Sequence, residues 1–453
     1  MMKRLMFPFC LVAASCSAPG GPYETTTRAF TPASAPQQVP VFAPQNTQPS
    51  SVLRSNSSIA RDILMLTFFL ENGTPLSRLT RFEGPITVRI SGEAPATMRN
   101  DLANLLSRLR NEAGIDISTT GSDTANITLE LIPRAQINRL IPNAACFVAP
   151  NVRGLREYLS SRNSSANAWS KLTERSVMTI FLPKDSSPQE IRDCMQEELA
   201  QSLGPVNDLY YLSDSVFNDD DSHAVLTDFD MLVLRVLYDD QLSNGMGRGD
   251  VAARLSMILS KLNPTGDQIG GSQRQQISPD WNDQVETALG VGVSVDQRIR
   301  AAERAVVIAR SNQFNDVRLG FSYYVLGRVT MTTNPSKSRE AFLKADLAYS
   351  SVPDANVQRA IIATQLAAFT LAKGDSSGTL ALVRPYLQIA RDHENASLLS
   401  TLQLLEAEAL DLAGRPAEAR SVRLDSLGWA RYGFGSETAV QARIREIAAL
   451  SPR

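Results

Sequence analysis

The segment Glu197-Glu198-Leu199-Ala200-Gln201-Ser202-Leu203-Gly204-Pro205-Val206-Asn207 closes a helix and sets oxygen-bearing side chains along it at regular spacing. Ser187-Pro188 opens that helix with a hydroxyl cap and a proline in the first turn, and Gly204-Pro205 ends it, which predicts a helix over Pro188–Leu203. Glu197 and Gln201 stand four apart and share one face, whereas Glu198 points about 100° away. Upstream, Val177 to Leu182 is a short apolar run before Pro183 and reads as a strand. Ile127, Leu129 and Leu131 alternate with other residues, as do Ile86, Val88 and Ile90 around Thr87 and Arg89. Between these strands Met98, Leu102, Leu105, Leu106 and Leu109 recur at helical spacing. Ile59 to Leu70 is a further helix, with Ser58 as its cap. Helices and strands thus alternate from about Ile59 to Leu262, predicting an α+β domain over residues 58–264 with a mostly antiparallel or mixed sheet.

The pattern then changes. Asn263-Pro264-Thr265-Gly266 and Gly270-Gly271-Ser272 mark a hinge over residues 265–280, and no strand pattern follows about Pro279. Residues 281–453 are Ala/Leu/Arg-rich helical stretches separated by short polar turns. Leu326-Gly327, Phe342 and Ala345 resemble the large/small code of a tetratricopeptide repeat. Leu366-Ala367 with Gly374-Asp375, and Ala409 with Gly414-Arg415-Pro416-Ala417 and Ala419, suggest two further passes. The expectation is an all-α helical-hairpin solenoid, with an irregular helical bundle as the alternative; in both, each hairpin needs a neighbour to cover its apolar face.

The chain has 453 residues, 43% hydrophobic and 20% charged, which is enough material for two or three domains. A net charge of −2 argues against a nucleic-acid partner, and two histidines leave little room for zinc, haem or His-based triads. Met1-Met2-Lys3-Arg4, the apolar run Leu5–Ala14 and the small residues before Cys16 read as a signal peptide over residues 1–16. The placement of Cys16 resembles a bacterial lipobox, making Cys16 the lipidation site, although Ala13 stands where leucine is commoner and ordinary cleavage nearby is the alternative. Ser17 after it would suit the outer membrane. Residues 17–57, rich in Pro, Ser and Thr with almost no charge, read as a disordered tether.

Cys10 leaves with the signal, so Cys146 and Cys194 remain as an even pair. In an exported protein they are expected to form a disulfide, with a reactive thiol or half a metal site as alternatives. Other signals are weak. Gly374-Asp375-Ser376-Ser377-Gly378 is a broken serine-protease nucleophile segment, and Gly245-Met246-Gly247-Arg248-Gly249 lacks the strand and Lys-Ser/Thr of a phosphate loop. Asp219-Asp220-Asp221 reads as a solvated loop rather than a calcium site, and Tyr210, Tyr211 and Phe217 as core rather than groove.

Residues 197–207 have the spacing of the metzincin zinc signature, in which two histidines four apart and a third after a glycine turn hold zinc beside a glutamate base. Here Glu198 takes the base position and Gly204 the turn, while the ligand positions hold Glu197, Gln201 and Asn207. Such an oxygen set suits zinc poorly, and without zinc Glu198 has no activated water to deprotonate. His223 and His393, in a polar loop and a helical turn, offer no rescue. An altered oxygen-ligand metal site and a plain amphipathic helix are the other readings.

Cys194 ahead of the motif, then Asn207-Asp208, Asp214-Ser215-Val216-Phe217, Leu226-Thr227 with Asp230, Leu237-Tyr238-Asp239 and Gly245-Met246 follow in order. This set, over about Ile59 to Leu262, resembles domain-of-unknown-function family 2927, a family of exported proteobacterial proteins. Asp425 to Gly433 resembles a further signature of its longer members. The resemblance implies a zincin-like core with no established activity; Met246 is expected to be an unordered loop residue rather than a methionine beneath a site. The expected whole is a lipid-anchored envelope protein, without cofactor, whose non-catalytic cleft and helical scaffold bind a protein or peptide. The alternative is a peptidase-like or cell-wall hydrolase using Glu198.

Overall fold

A computed structural model describes residues 42, 49–142, 144–162, 164–218, 220, 222–271 and 278–452. The signal segment 1–16 with Cys16, most of the expected tether, and Asn143, Asp219, Asp221 and Ser272 lie outside them.

The first half runs α1 (Asn56–Phe68), β1 (Ile86–Ser91), α2 (Ala96–Asn111), β2 (Ile117–Thr119), β3 (Ile127–Ile132), α3 (Arg134–Leu140), β4 (Phe147–Pro150), α4 (Leu155–Ser161), β5 (Met178–Pro183), α5 (Pro188–Leu203), α6 (Asp228–Leu237) and α7 (Arg248–Leu262). The strands form one sheet in the order β2-β1-β3-β5-β4. It is mixed, but three of its four pairings are parallel and only edge strand β4 runs antiparallel, against β5. Of the two expectations the mixed sheet holds and the mostly antiparallel one does not. Helix α2 between β1 and β2, and the α3–β4–α4 excursion between β3 and β5, permit parallel pairing, and the alternating apolar pattern is equally compatible with either direction. Ile127, Leu129 and Leu131 share the main core with Met178, Ile180 and Leu182 and with Met98, Leu102 and Leu105 of α2. Phe181 instead joins Phe147, Ile137 and Ile141 on the opposite face. Burial on both faces explains why β5 is a continuous apolar run.

Helix α1 starts three residues earlier than Ser58 suggested: Ser55 is the cap, accepting from the Ser58 N–H at 3.3 Å, and Ser58 lies within the helix. Part of the expected tether also belongs to the domain. Val52 exchanges backbone hydrogen bonds with the Asn263 amide, and Arg54 pairs with Asp62 and Asp214. Phe42 stacks on Trp429 at 4.5 Å between ring centroids and meets Tyr432 edge-on.

From Pro279 on, the described residues form helices and turns: α8 (Pro279–Leu289), α9 (Val295–Ser311), α10 (Val317–Thr330), α11 (Pro335–Tyr349), α12 (Asn356–Ala372), α13 (Ser376–Val383), α14 (Leu387–Asp392), α15 (Ala396–Leu412), α16 (Pro416–Phe434) and α17 (Glu437–Ala448). Antiparallel α10 and α11 meet through glycine: a Cβ on Gly327 would lie 2.6 Å from the Phe342 ring, and one on Gly320 equally close to Tyr349. The two pairs are seven residues apart on each helix, so each large ring sits in the gap left by a missing side chain. This is the large/small pairing legible at Gly327 and Phe342.

The two halves share surfaces. Tyr210, just after α5, packs into the core of the helical half, with ring centroids 5.3 Å from Trp281 and 5.9 Å from Phe321. The Gln189 amide bonds Asn395 and Ser397, Arg192 bonds Glu394, and the Tyr432 hydroxyl donates to Asp101 at 2.8 Å. Each partner comes from α5 or α2 on one side and from α14–α16 on the other.

Candidate functional site at the junction of the two halves

Helix α5 begins as its sequence requires. The Ser187 hydroxyl accepts from the Glu190 N–H at 3.2 Å, and Pro188 occupies the first turn where no hydrogen bond is lost. Cys194 in its middle is joined by a disulfide to Cys146, immediately before β4, as expected of the pair. The helix end is held by Arg175, whose guanidinium donates to the carbonyls of Gln201 at 2.5 Å and Gly204 at 2.6 Å. Burial pulls this guanidinium down to about 10. Gly204 is required by close approach, since a Cβ there would stand 2.5 Å from Leu237 Cδ1.

Glu197 and Glu198 are each 4% exposed. Gln201 Nε2 reaches Glu197 Oε1 at 3.5 Å, so these two share a face as their spacing predicts. Asn207 does not join them through its amide nitrogen, which donates to the Met65 carbonyl of α1 at 3.0 Å. Among the described residues no group of three or more His, Cys, Asp and Glu side chains could hold a metal ion. The donor set itself, a carboxylate and two amides with no imidazole or thiolate, does not fit zinc.

A cavity of about 770 Å³ opens between the halves. Glu197 lines it, whereas Glu198, Gln201 and Asn207 do not. The other side is formed by the helical half, with Tyr324 and Arg328 of α10, Tyr349 of α11 and Gln358 of α12. Nearer α5 the wall is charged: Arg134 pairs with Glu190, and Arg443 with Glu446 at 3.0 Å.

The two histidines, expected to be isolated, are neighbours. His223 and His393 lie 5.5 Å apart between ring centroids, because the loop after α5 folds against the end of α14. Burial, reinforced by His223, holds the His393 imidazole down to about 4. Asp220, expected in a solvated loop, lines the cavity; its carboxylate accepts from the Ser222 N–H at 2.9 Å and from Gln358 at 3.3 Å. Tyr210 serves both as core and as cavity wall, whereas Phe217 is fully buried and Tyr211 donates to Asp62. Gln358 and Tyr349 gave no sequence signal, since one polar residue and one aromatic among apolar helix positions look like many others.

The weaker motifs resolve into caps. Asp375 starts α13 by accepting from the Gly378 N–H at 2.8 Å, and Asp250 accepts from the Gly247 N–H at 3.1 Å ahead of α7. Met246 is not an unordered loop residue: it is half-buried against the main core, and its carbonyl accepts from the Leu79 N–H at 2.8 Å.

No curated protein and no solved structure matches the chain. Residues 56–257, the α+β half, match the family described as "protein of unknown function (DUF2927)".

Proposed function

We propose that the chain is an exported envelope protein, lipid-anchored through Cys16, in which a non-catalytic zincin-like domain and a tetratricopeptide-like helical scaffold together hold a protein or peptide partner. The observation that carries this reading is the fate of the four motif side chains. Glu197 alone reaches the cavity, Asn207 is turned to the Met65 carbonyl, and no ligand position bears a nitrogen base. Glu198 lies off the cavity beside ligand positions whose chemistry does not suit zinc, which is a poor setting for activating water. What remains is a concave, partly aromatic space between a rigid α/β face and helical hairpins, the setting in which extended peptides are commonly gripped. The zincin-like assignment is supported by the spacing along α5, by its packing beside β5 and by the glycine that ends it. Export is supported by the signal pattern at residues 1–16 and by the Cys146–Cys194 bridge, which persists in oxidising compartments. Among the described residues no helix is long and apolar enough to cross a membrane.

Metal analysis of the purified full chain, paired with Glu198→Ala, tests the reading. The expected result is substoichiometric zinc and an unchanged envelope phenotype for the variant. Stoichiometric zinc lost on Glu197→Ala or Gln201→Ala would overturn it in favour of a hydrolase.

A further inference from the structure

Asp220, His223 and Gln358 share the cavity wall where the loop after α5 meets α12. The Ser213 carbonyl is the organising point: it accepts from His223 Nε2 at 2.9 Å and from Gln358 Nε2 at 3.3 Å. Gln358 Nε2 also donates to Asp220 Oδ2 at 3.3 Å. Both neighbours of that amide nitrogen are acceptors, so the amide cannot be turned the other way round. Its Oε1 is therefore committed to the opposite side, where it is buried with no hydrogen-bond partner among the described residues, in a residue only 2% exposed. The same logic fixes His223. Nε2 faces a carbonyl and must carry the proton, which makes Nδ1 of the neutral ring an acceptor, and Nδ1 too is buried and unpartnered among the described residues. Asp220 supplies the third acceptor and a negative charge, with no ion-pair partner among the described residues.

Asp220, His223 and Gln358 all line the cavity, together with the rings of Tyr324 and Tyr349. Burial and the nearby Asp220 push the Tyr349 hydroxyl well above its ordinary range, which puts ring and carboxylate in the same surroundings. Leaving a buried acceptor unpaired is costly, and a carboxylate with no counter-charge beside it draws a cation. A ligand that relieves both must bring several N–H donors and a positive charge on a group small enough to sit beside aromatic rings. An anion would meet Asp220, and an apolar group would leave Gln358 Oε1 and His223 Nδ1 unpaired.

We infer that Asp220, His223 and Gln358 form a subsite for a protonated primary amine, packed against Tyr349. This rests on the proposed peptide-binding role and names its anchor, a lysine side chain; a free alkyl diamine carries the same chemistry and is separated by the test. The full chain is titrated calorimetrically with acetyl-Gly-Lys-Gly-amide, with the same peptide carrying norleucine for lysine, and with 1,5-diaminopentane. The expected result is binding of the lysine peptide, weakened at least roughly tenfold by norleucine, since hydrogen bonds to charged groups are worth that much or more. Asp220→Asn and Gln358→Leu should each weaken it to a similar extent while far-ultraviolet dichroism stays that of the wild type. Binding of the diamine alone, lost in both variants, would uphold the amine subsite and overturn the peptide role. Equal binding of the lysine and norleucine peptides would overturn the subsite and leave the peptide role standing. Absence of binding by all three probes, or binding indifferent to both variants, also overturns the subsite.

Discussion

Replacing both Cys146 and Cys194 with alanine removes the covalent tie between the start of β4 and the middle of α5, the helix that carries Glu197. The bridge closes a loop with a sequence separation of 48 residues, and chain entropy then assigns it about 4 kcal/mol at 25 °C. For a domain of this size each kcal/mol moves the midpoint by about 2–4 °C, so the unfolding transition of the α+β half should fall by roughly 8–16 °C. A double variant is chosen because a single one would leave a buried thiol, both sulfurs being almost fully covered. Differential scanning calorimetry of the full chain is the direct assay, and far-ultraviolet dichroism should show unchanged helix content below the transition. A fall of less than about 3 °C would refute the entropic reasoning. So would a loss confined to the helical half, which contains neither cysteine.

Gly327→Ala should destabilise the helical half by up to about 2 kcal/mol in urea titration: alanine gains about 1 kcal/mol of helix propensity, but its Cβ would overlap the buried Phe342 ring at a cost of about 1–3 kcal/mol. A rise in stability would show that the ring moves freely. His393, held down to about 4 against an ordinary value of 6.5, refuses a proton that the unfolded chain accepts. Stability from this group is therefore full above pH 6.5 and is lost as pH falls towards 4, by at most about 3 kcal/mol. His393→Asn should flatten that slope, and parallel slopes for variant and wild type would refute the assignment. Gly204→Ala should loosen the end of α5 by about 1–3 kcal/mol, because the new methyl meets Leu237; an unchanged urea midpoint would refute the contact.

Local chemistry was sufficient for much of the architecture. Period-two apolar positions at Ile127, Leu129 and Leu131, the Ser187-Pro188 start of α5 and the glycine opposite Phe342 are short-range signals, and each element formed where they predict. Strand direction was not legible, because the same alternation serves parallel and antiparallel neighbours; crossover packing on the sheet decided it. The true start of α1 at Ser55 was obscured by a second serine three residues on.

The candidate site divides along the same line. The sequence by itself determined the donor types along α5, and with them the poor fit to zinc, because ligand chemistry is a property of residue identity. Only the tertiary structure decided which side chains meet. Asp220 and His223 share one loop, but Gln358 and Tyr349 belong to two helices far along the chain, and His393 ends a third. Docking the helical half against α5 brings Asp220, His223, Gln358 and Tyr349 to one cavity and sets His393 beside His223, and no local pattern encodes contacts between surfaces so distant in sequence.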